Sequence, residues 1–242
     1  MIFRNSLLLV MLVGAIACGS SDEAANDSAS NKTLIERHNE AGRFDSTGYI
    51  IDGEMSGDWK FYDEQGNIIA EGAYEQGAMT GTWRWYWPNG ELSKIEDYVG
   101  GMANGKFVDY FEDGTKQAEG ELMDNELAGE FTVYYPNGQV KMTETYVGGV
   151  KHGPAKQYFE DGSLFAEGQY TRGVQDGEIK LYFPNGQLRH TEVWAEGKLN
   201  GPTTDYYEDG TLEVKGEYKD NEKVGVWEEY GEDGEPISRV EY

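Results

Sequence analysis

The sequence predicts an all-β protein, one elongated antiparallel sheet built from stacked 24-residue hairpins. Three observations carry this reading. Gly57, Gly81, Gly105, Gly129, Gly153, Gly177, Gly201 and Gly225 fall 24 residues apart without a slip. Counted from each as position one, position six is always tyrosine: Tyr62, Tyr86, Tyr110, Tyr134, Tyr158, Tyr182, Tyr206 and Tyr230. Between such columns lie turn tripeptides, Pro-Asn-Gly at 88–90, 136–138 and 184–186, and Glu-Asp-Gly at 112–114, 160–162 and 208–210. Self-similarity at a fixed period is the signature of a repeat architecture.

The chain opens on an address. Residues 1–17 have a positive start at Arg4, an apolar run from Leu7 to Val13 and then small residues, which is the secretory signal pattern. Ala15-Ile16-Ala17-Cys18 resembles the lipobox of bacterial lipoproteins, which implies acylation of Cys18 after cleavage. The acyl chains, at about 0.8 kcal/mol per buried methylene, would anchor the chain stably in a membrane. Residues 18–40, rich in Ser, Ala, Asn and Asp, read as a lipidated flexible tether, with room for a short helix around Lys32 to Asn39. Gly19, where an aspartate would favour inner-membrane retention, points by analogy to the outer membrane. Cell-envelope localisation, periplasmic or surface-exposed, is the expectation.

The repeat array should occupy 41–242. It begins with a degraded half-repeat at 42–56, in which Gly42, Gly48, Ile50 and Gly53 keep the phase, and which would cap the array. Eight repeats follow, starting at 57, 81, 105, 129, 153, 177, 201 and 225. In each, positions two to seven should form a strand, the tripeptide a type I turn closed by a left-handed glycine, and positions eleven to nineteen the return strand. A second turn carries glycine at 77, 101, 149, 173 and 197, with Asn125 and Asn221 as substitutes suited to the same left-handed backbone. A finer 48-residue period shows in the alternating turns and at position sixteen, where Gly72, Gly120, Gly168 and Gly216 alternate with Glu96, Glu144 and Glu192. Pairing seven with eleven and six with twelve would put the position-six tyrosine on a face with positions twelve, fourteen and eighteen. That face is expected to be the packed one, with positions three, five and seven on the other. At about 10 Å per pair of strands, the array should be about 80 Å long.

Composition narrows the function. The formal net charge is −25, and removing the leader takes Arg4 and makes it more negative still. Such a surface repels nucleic-acid phosphates, so no nucleic-acid partner is expected. The 13% aromatic content argues against the disorder that high charge alone would suggest. The single cysteine excludes an intrachain disulfide.

The segment Gly129-Glu130-Phe131-Thr132-Val133-Tyr134-Tyr135-Pro136-Asn137-Gly138-Gln139-Val140, with its in-phase relatives over about 42–242, resembles the bacterial variant of the MORN repeat. Proteins of that variant are often labelled antitoxin-like, and related MORN proteins act as scaffolds or membrane-associated modules. The resemblance implies stacked hairpins and a binding role, without a defined ligand.

No catalytic constellation, cofactor site or metal site is read from the residues. His38, His152 and His190 are far apart in sequence, and the acidic turns lack the spacing of a calcium loop. The repeated tyrosines read as structural. Trp83, Trp85 and Trp87 exceed what the pattern requires and, by alternation, share a face, which makes them the candidate binding patch. The expected function is non-catalytic: an envelope lipoprotein, membrane-anchored through its acyl chains, that scaffolds a protein partner. A glycan or peptidoglycan binder using the aromatics, or an extracytoplasmic immunity-like protein, is the alternative.

Overall fold

The computed structural model describes residues 26–27, 32–40 and 42–242. Cys18 and the leader before it lie outside the described residues. Among those described there is no helix, and the strands join in one antiparallel sheet that follows the order of the sequence, with two of the strands each broken into two segments that pair with the same neighbour. The polypeptide therefore meanders, and contacts run only between consecutive hairpins.

Both turns follow from local chemistry. In repeat one the Gly66 N–H donates to the Asp63 carbonyl (3.0 Å) and the Asp63 N–H donates to the Asn67 carbonyl (2.9 Å). This is the type I turn closed by a positive-φ glycine, and it pairs position seven with eleven. The second turn has two residues, both at positive φ, as in Gly100-Gly101 and Asp124-Asn125. Its second N–H staples it to the preceding repeat: Gly101 donates to the Met79 carbonyl and Asn125 to the Ala103 carbonyl, each at 2.9 Å. Asn125 adds a bond that glycine cannot make, since its Oδ1 accepts from the Ala103 N–H at 2.8 Å.

The packed face differs from expectation. Tyr62 pairs with Ile68 but Phe61 pairs with Ala70, so Ile69 is bulged out, and the same slip recurs in every repeat. One extra residue reverses the facing of everything beyond it. Positions fourteen, sixteen and eighteen thus share a face with three and five, leaving six with twelve. The buried side chains confirm the exchange: Trp59, Trp83, Phe107, Ile179 and Trp227 at position three, Ala70 and Ala118 at fourteen, Tyr74 and Leu122 at eighteen. The position-six tyrosines lie half-buried on the opposite face.

The N-terminal end differs too. Lys32–His38, read as tether or short helix, is a strand paired with Phe44–Ile51 in the register of the other hairpins, including the slip between Arg37 and His38. The supposed half-repeat is a whole one, with Thr33 at position one and Ile35 at position three. A helix of this length is marginal by itself, whereas Thr33-Leu34-Ile35 meets a ready strand edge.

Candidate binding surface

The core face is organised by what sits at position sixteen. Where it is glycine, the large side chain at position three of the next repeat lies flat on it. A Cβ built on Gly72 would fall 2.2 Å from Trp83 Cδ2, and the same holds for Gly48 under Trp59 and Gly216 under Trp227. Ile179 fills this place on Gly168, while Phe107 and Phe131 both lean on Gly120. Where position sixteen is glutamate, the next position three is smaller, Ala155 after Glu144 and Thr203 after Glu192. The exception is Phe107 after Glu96, which leans forward onto Gly120 instead. This complementarity follows the position-sixteen alternation from Gly120 to Gly216.

The tryptophan cluster belongs to this face. Trp83 is 1% exposed, sandwiched among Phe61, Tyr74 and Trp85, and its Nε1 donates to the Ala73 carbonyl at 3.0 Å. Trp85 is half-buried against Trp83 and Tyr98. Trp87 is half-buried at the turn, its Nε1 donating to the Tyr110 carbonyl of the next repeat at 3.2 Å. The three do not form an open aromatic platform, because Trp83 is core. Sequence alternation alone could not show this, since nothing in it reveals which face carries the glycine beds.

A row of carboxylates, buried at Glu96 and Glu144 and half-buried at Glu192, interrupts the aromatic core. Glu96 is 4% exposed, accepts from the Tyr98 hydroxyl at 2.5 Å and pairs with Lys94 at 2.8 Å. Glu144, 6% exposed, accepts from the Tyr146 hydroxyl at 2.6 Å and pairs with Lys151 at 2.5 Å. Glu192 accepts from Trp194 Nε1 at 2.7 Å and lies 3.3 Å from His190 Nε2. Burial and the glutamate bond push the Tyr98 and Tyr146 hydroxyls far above the ordinary tyrosine range. Carboxylates so enclosed are tolerated because both oxygens find donors. Their signal was present in the sequence as the position-sixteen alternation, but the cations at varying positions hid the pattern.

On the opposite face the position-six tyrosines reach position fifteen of the preceding repeat. Tyr86 donates to Glu71 at 2.6 Å, Tyr182 to Glu167 at 2.8 Å and Tyr134 to Glu119. Desolvation, then these bonds, push the three hydroxyls up to about 12. The turns are tied as well. Nδ2 of Asn89, Asn137 and Asn185 donates to the carbonyls of Glu112, Glu160 and Glu208 in the next turn. The Asp side chains of the alternate turns cap themselves, Asp113 Oδ1 accepting from both the N–H and the hydroxyl of Thr115. Those bonds, and the matching pair from Ser163 to Asp161, hold the Asp113 and Asp161 carboxyls below their ordinary range. Among the described residues no group of three or more His, Cys, Asp or Glu is arranged to hold a metal ion.

An exposed apolar feature lies along the second-turn edge. Val99, Met123 and Val147 at position nineteen are 61–63% exposed, and Met102, Val150 and Val174 at position twenty-two are 44–46% exposed. Position twenty-two covers the second-turn glycine of the following repeat, as Val150 covers Gly173 and Val174 covers Gly197. The result is a ridge over four consecutive turns, interrupted by Glu126 at position twenty-two and Thr171 at position nineteen, and ending at Glu75 on one side and Lys198 on the other.

Comparison with known proteins agrees with the architecture. No curated protein matches the chain. Among solved structures, "Crystal Structure of TcdB2-TccC3" is similar at 10% identity over 83% of this chain, with a TM-score of 0.18. "Crystal Structure of TcdB2-TccC3-Cdc42" is similar at 11% identity, also with a TM-score of 0.18. The chain spans only 14% and 13% of those chains, and likeness this slight carries no argument. The MORN repeat variant family matches at residues 55–76, 79–99, 127–147, 151–171, 175–194 and 199–220, over half of the chain. The matched segments are the hairpins described above, and the protein belongs to the MORN repeat variant family.

Proposed function

We propose that this protein is a non-catalytic scaffold, anchored in the bacterial cell envelope through an acylated Cys18, that binds a protein partner along its repeat-built sheet. The observation that carries the reading is the Val99–Val174 ridge. Single exposed apolar residues are ordinary, but a row recurring with the turns, broken at position twenty-two only by Glu126, is the kind of patch that marks interaction sites. The ridge repeats at about 10 Å intervals, so a partner could engage several turns at once. The anchor rests on the leader and lipobox-like segment, and the outer membrane is the proposed destination.

Photo-crosslinkers placed at Met123 and Val147 in living cells test the partner, with Asn137 on the opposite edge as control. The reading predicts a defined adduct from the first two sites, lost in a Val99→Asp, Val150→Asp variant. Equal adducts from both edges would refute it. Cys18→Ser should move the protein from the membrane fraction to the soluble envelope fraction, and unchanged fractionation would refute the anchor.

A further inference from the structure

Three junctions of the array are built to one plan, and one of them carries a different cation. Glu96 and Glu144 are paired with lysines, whereas Glu192 is paired with His190. A lysine stays charged throughout the neutral range and an imidazole does not. His190 also bridges two repeats, since its Nδ1 lies 2.6 Å from Oδ1 of Asp205 in the next hairpin and its Nε2 3.3 Å from Oε2 of Glu192. Only the imidazolium can donate to both carboxylates at once. A neutral ring donates to one and turns a lone pair toward the other.

We propose that the junction between repeats six and seven is a pH-operated joint, closed when His190 is protonated and loosened when it is not. The surroundings leave the imidazole as the charge that decides it. On its own strand, Glu192 shares its face, while the neighbouring Arg189 lies over the Phe183 ring. From the strand Gly177–Tyr182 the residue directly opposite is Leu181, and Glu178 and Lys180 sit on the other face, paired with each other at 3.0 Å. From the strand Gly201–Tyr206 the residue opposite is Asp205, with Thr203 buried nearby. The following strand breaks at Asn200, so the ladder has a gap: Trp194–Leu199 and Ala195–Lys198 pair beside the turn, and Gly201–Tyr206 pairs through His190–Asp205 and Thr191–Thr204. The bridge thus sits at the last pair of the ladder, beyond the gap.

The Asp205 bond first, and Glu192 after it, hold the imidazole above its ordinary value against the opposing effect of burial. A raised folded value means that the stabilisation is complete below the unfolded value of about 6.5 and disappears as pH climbs through the folded one. The joint needs no partner to operate; only its consequence for binding rests on the scaffold reading.

Hydrogen exchange of the full chain from about pH 5 to about pH 9, corrected for intrinsic exchange rates, tests it. Peptides spanning 188–206 should lose protection severalfold across His190 deprotonation. Peptides spanning 92–110 and 140–158, with their lysines, should stay flat in the same molecules. His190→Lys should flatten the first peptide as well. Should that variant fail to fold, titration of the His190 ring by NMR in the native chain decides, with a midpoint above the ordinary histidine value expected. Parallel behaviour of all three junctions, or a midpoint at or below that value, would overturn the proposal.

Discussion

Alanine at Gly72 adds one methyl group to a strand residue of ordinary backbone geometry, and on an exposed sheet it would be neutral or mildly stabilising. Here the added carbon would fall 2.2, 2.4 and 2.5 Å from three atoms of the Trp83 indole, where carbon atoms rest at about 3.5–4 Å. The ring must lift by more than an ångström. It would leave Tyr74, whose ring centroid is 5.0 Å away, and strain the 3.0 Å bond from its Nε1 to the Ala73 carbonyl. Overpacking of a tight site costs about 1–3 kcal/mol and a lost hydrogen bond about 0.5–1.5 kcal/mol, so Gly72→Ala should destabilise by roughly 2–4 kcal/mol. The decisive assay is a double-mutant cycle with Trp83→Ala, read by urea unfolding and by hydrogen exchange of residues 68–86. Trp83→Ala alone should cost about 3–5 kcal/mol. In that background Gly72→Ala should be neutral to within about 0.5 kcal/mol, giving a coupling near the whole single-mutant effect. An equal cost of Gly72→Ala in both backgrounds would refute the glycine-bed account of the core.

Three further outcomes follow from named contacts. Tyr98→Phe leaves one oxygen of the buried Glu96 without its donor and should cost about 1–3 kcal/mol in urea unfolding, whereas Glu96→Gln with Tyr98→Phe together should recover part of that loss. Asn137→Asp removes the amide that reaches the Glu160 carbonyl and should cost about 0.5–1.5 kcal/mol, while Asp161→Asn, which keeps an oxygen for its own turn, should be nearly neutral. Tyr86, Tyr134 and Tyr182 should ionise at about 12 in the folded chain. Because their folded values are raised, the stability they contribute is intact below the unfolded value of about 10 and disappears between there and about 12, which phenolate absorbance and alkaline unfolding can follow together.

The period, the hairpins and both turn types were legible in the sequence because each rests on residues that few others can replace. Gly66 and its counterparts take positive φ, and Asn125 and Asn221 do so where glycine is absent. What could not be read was the facing of the strands. The bulge at Ile69 and its equivalents has no residue signature of its own, yet it moves the position-six tyrosines from the core to the opposite face. The same omission made Trp83 a candidate for ligand contact when it is among the most enclosed side chains described. The strand Lys32–His38 was hidden for another reason, since Thr33 and His38 stand where the glycine and tyrosine columns would be, and the neighbouring strand imposes the conformation. The His190 bridge needed three dimensions, because Asp205 stands fifteen residues away and comes opposite only through pairing.

The central claim is that the chain is an open stack whose structural unit, over repeats one to six, is a pair of repeats bringing one position-sixteen glycine and one position-sixteen carboxylate. Deletions measured by small-angle X-ray scattering and urea unfolding test it most directly. Removal of residues 129–176 brings Gly120 beside Ile179 and preserves the alternation. Removal of 153–176 alone brings Glu144 beside Ile179 and breaks it. The account predicts that the first shortens the particle by about 20 Å and the second by about 10 Å, two strands at a time. Only the second should destabilise the flanking repeats, by several kcal/mol in line with an ill-fitting buried charge. Equal stability of the two deletions, or a particle whose length does not fall with the repeats removed, would contradict it.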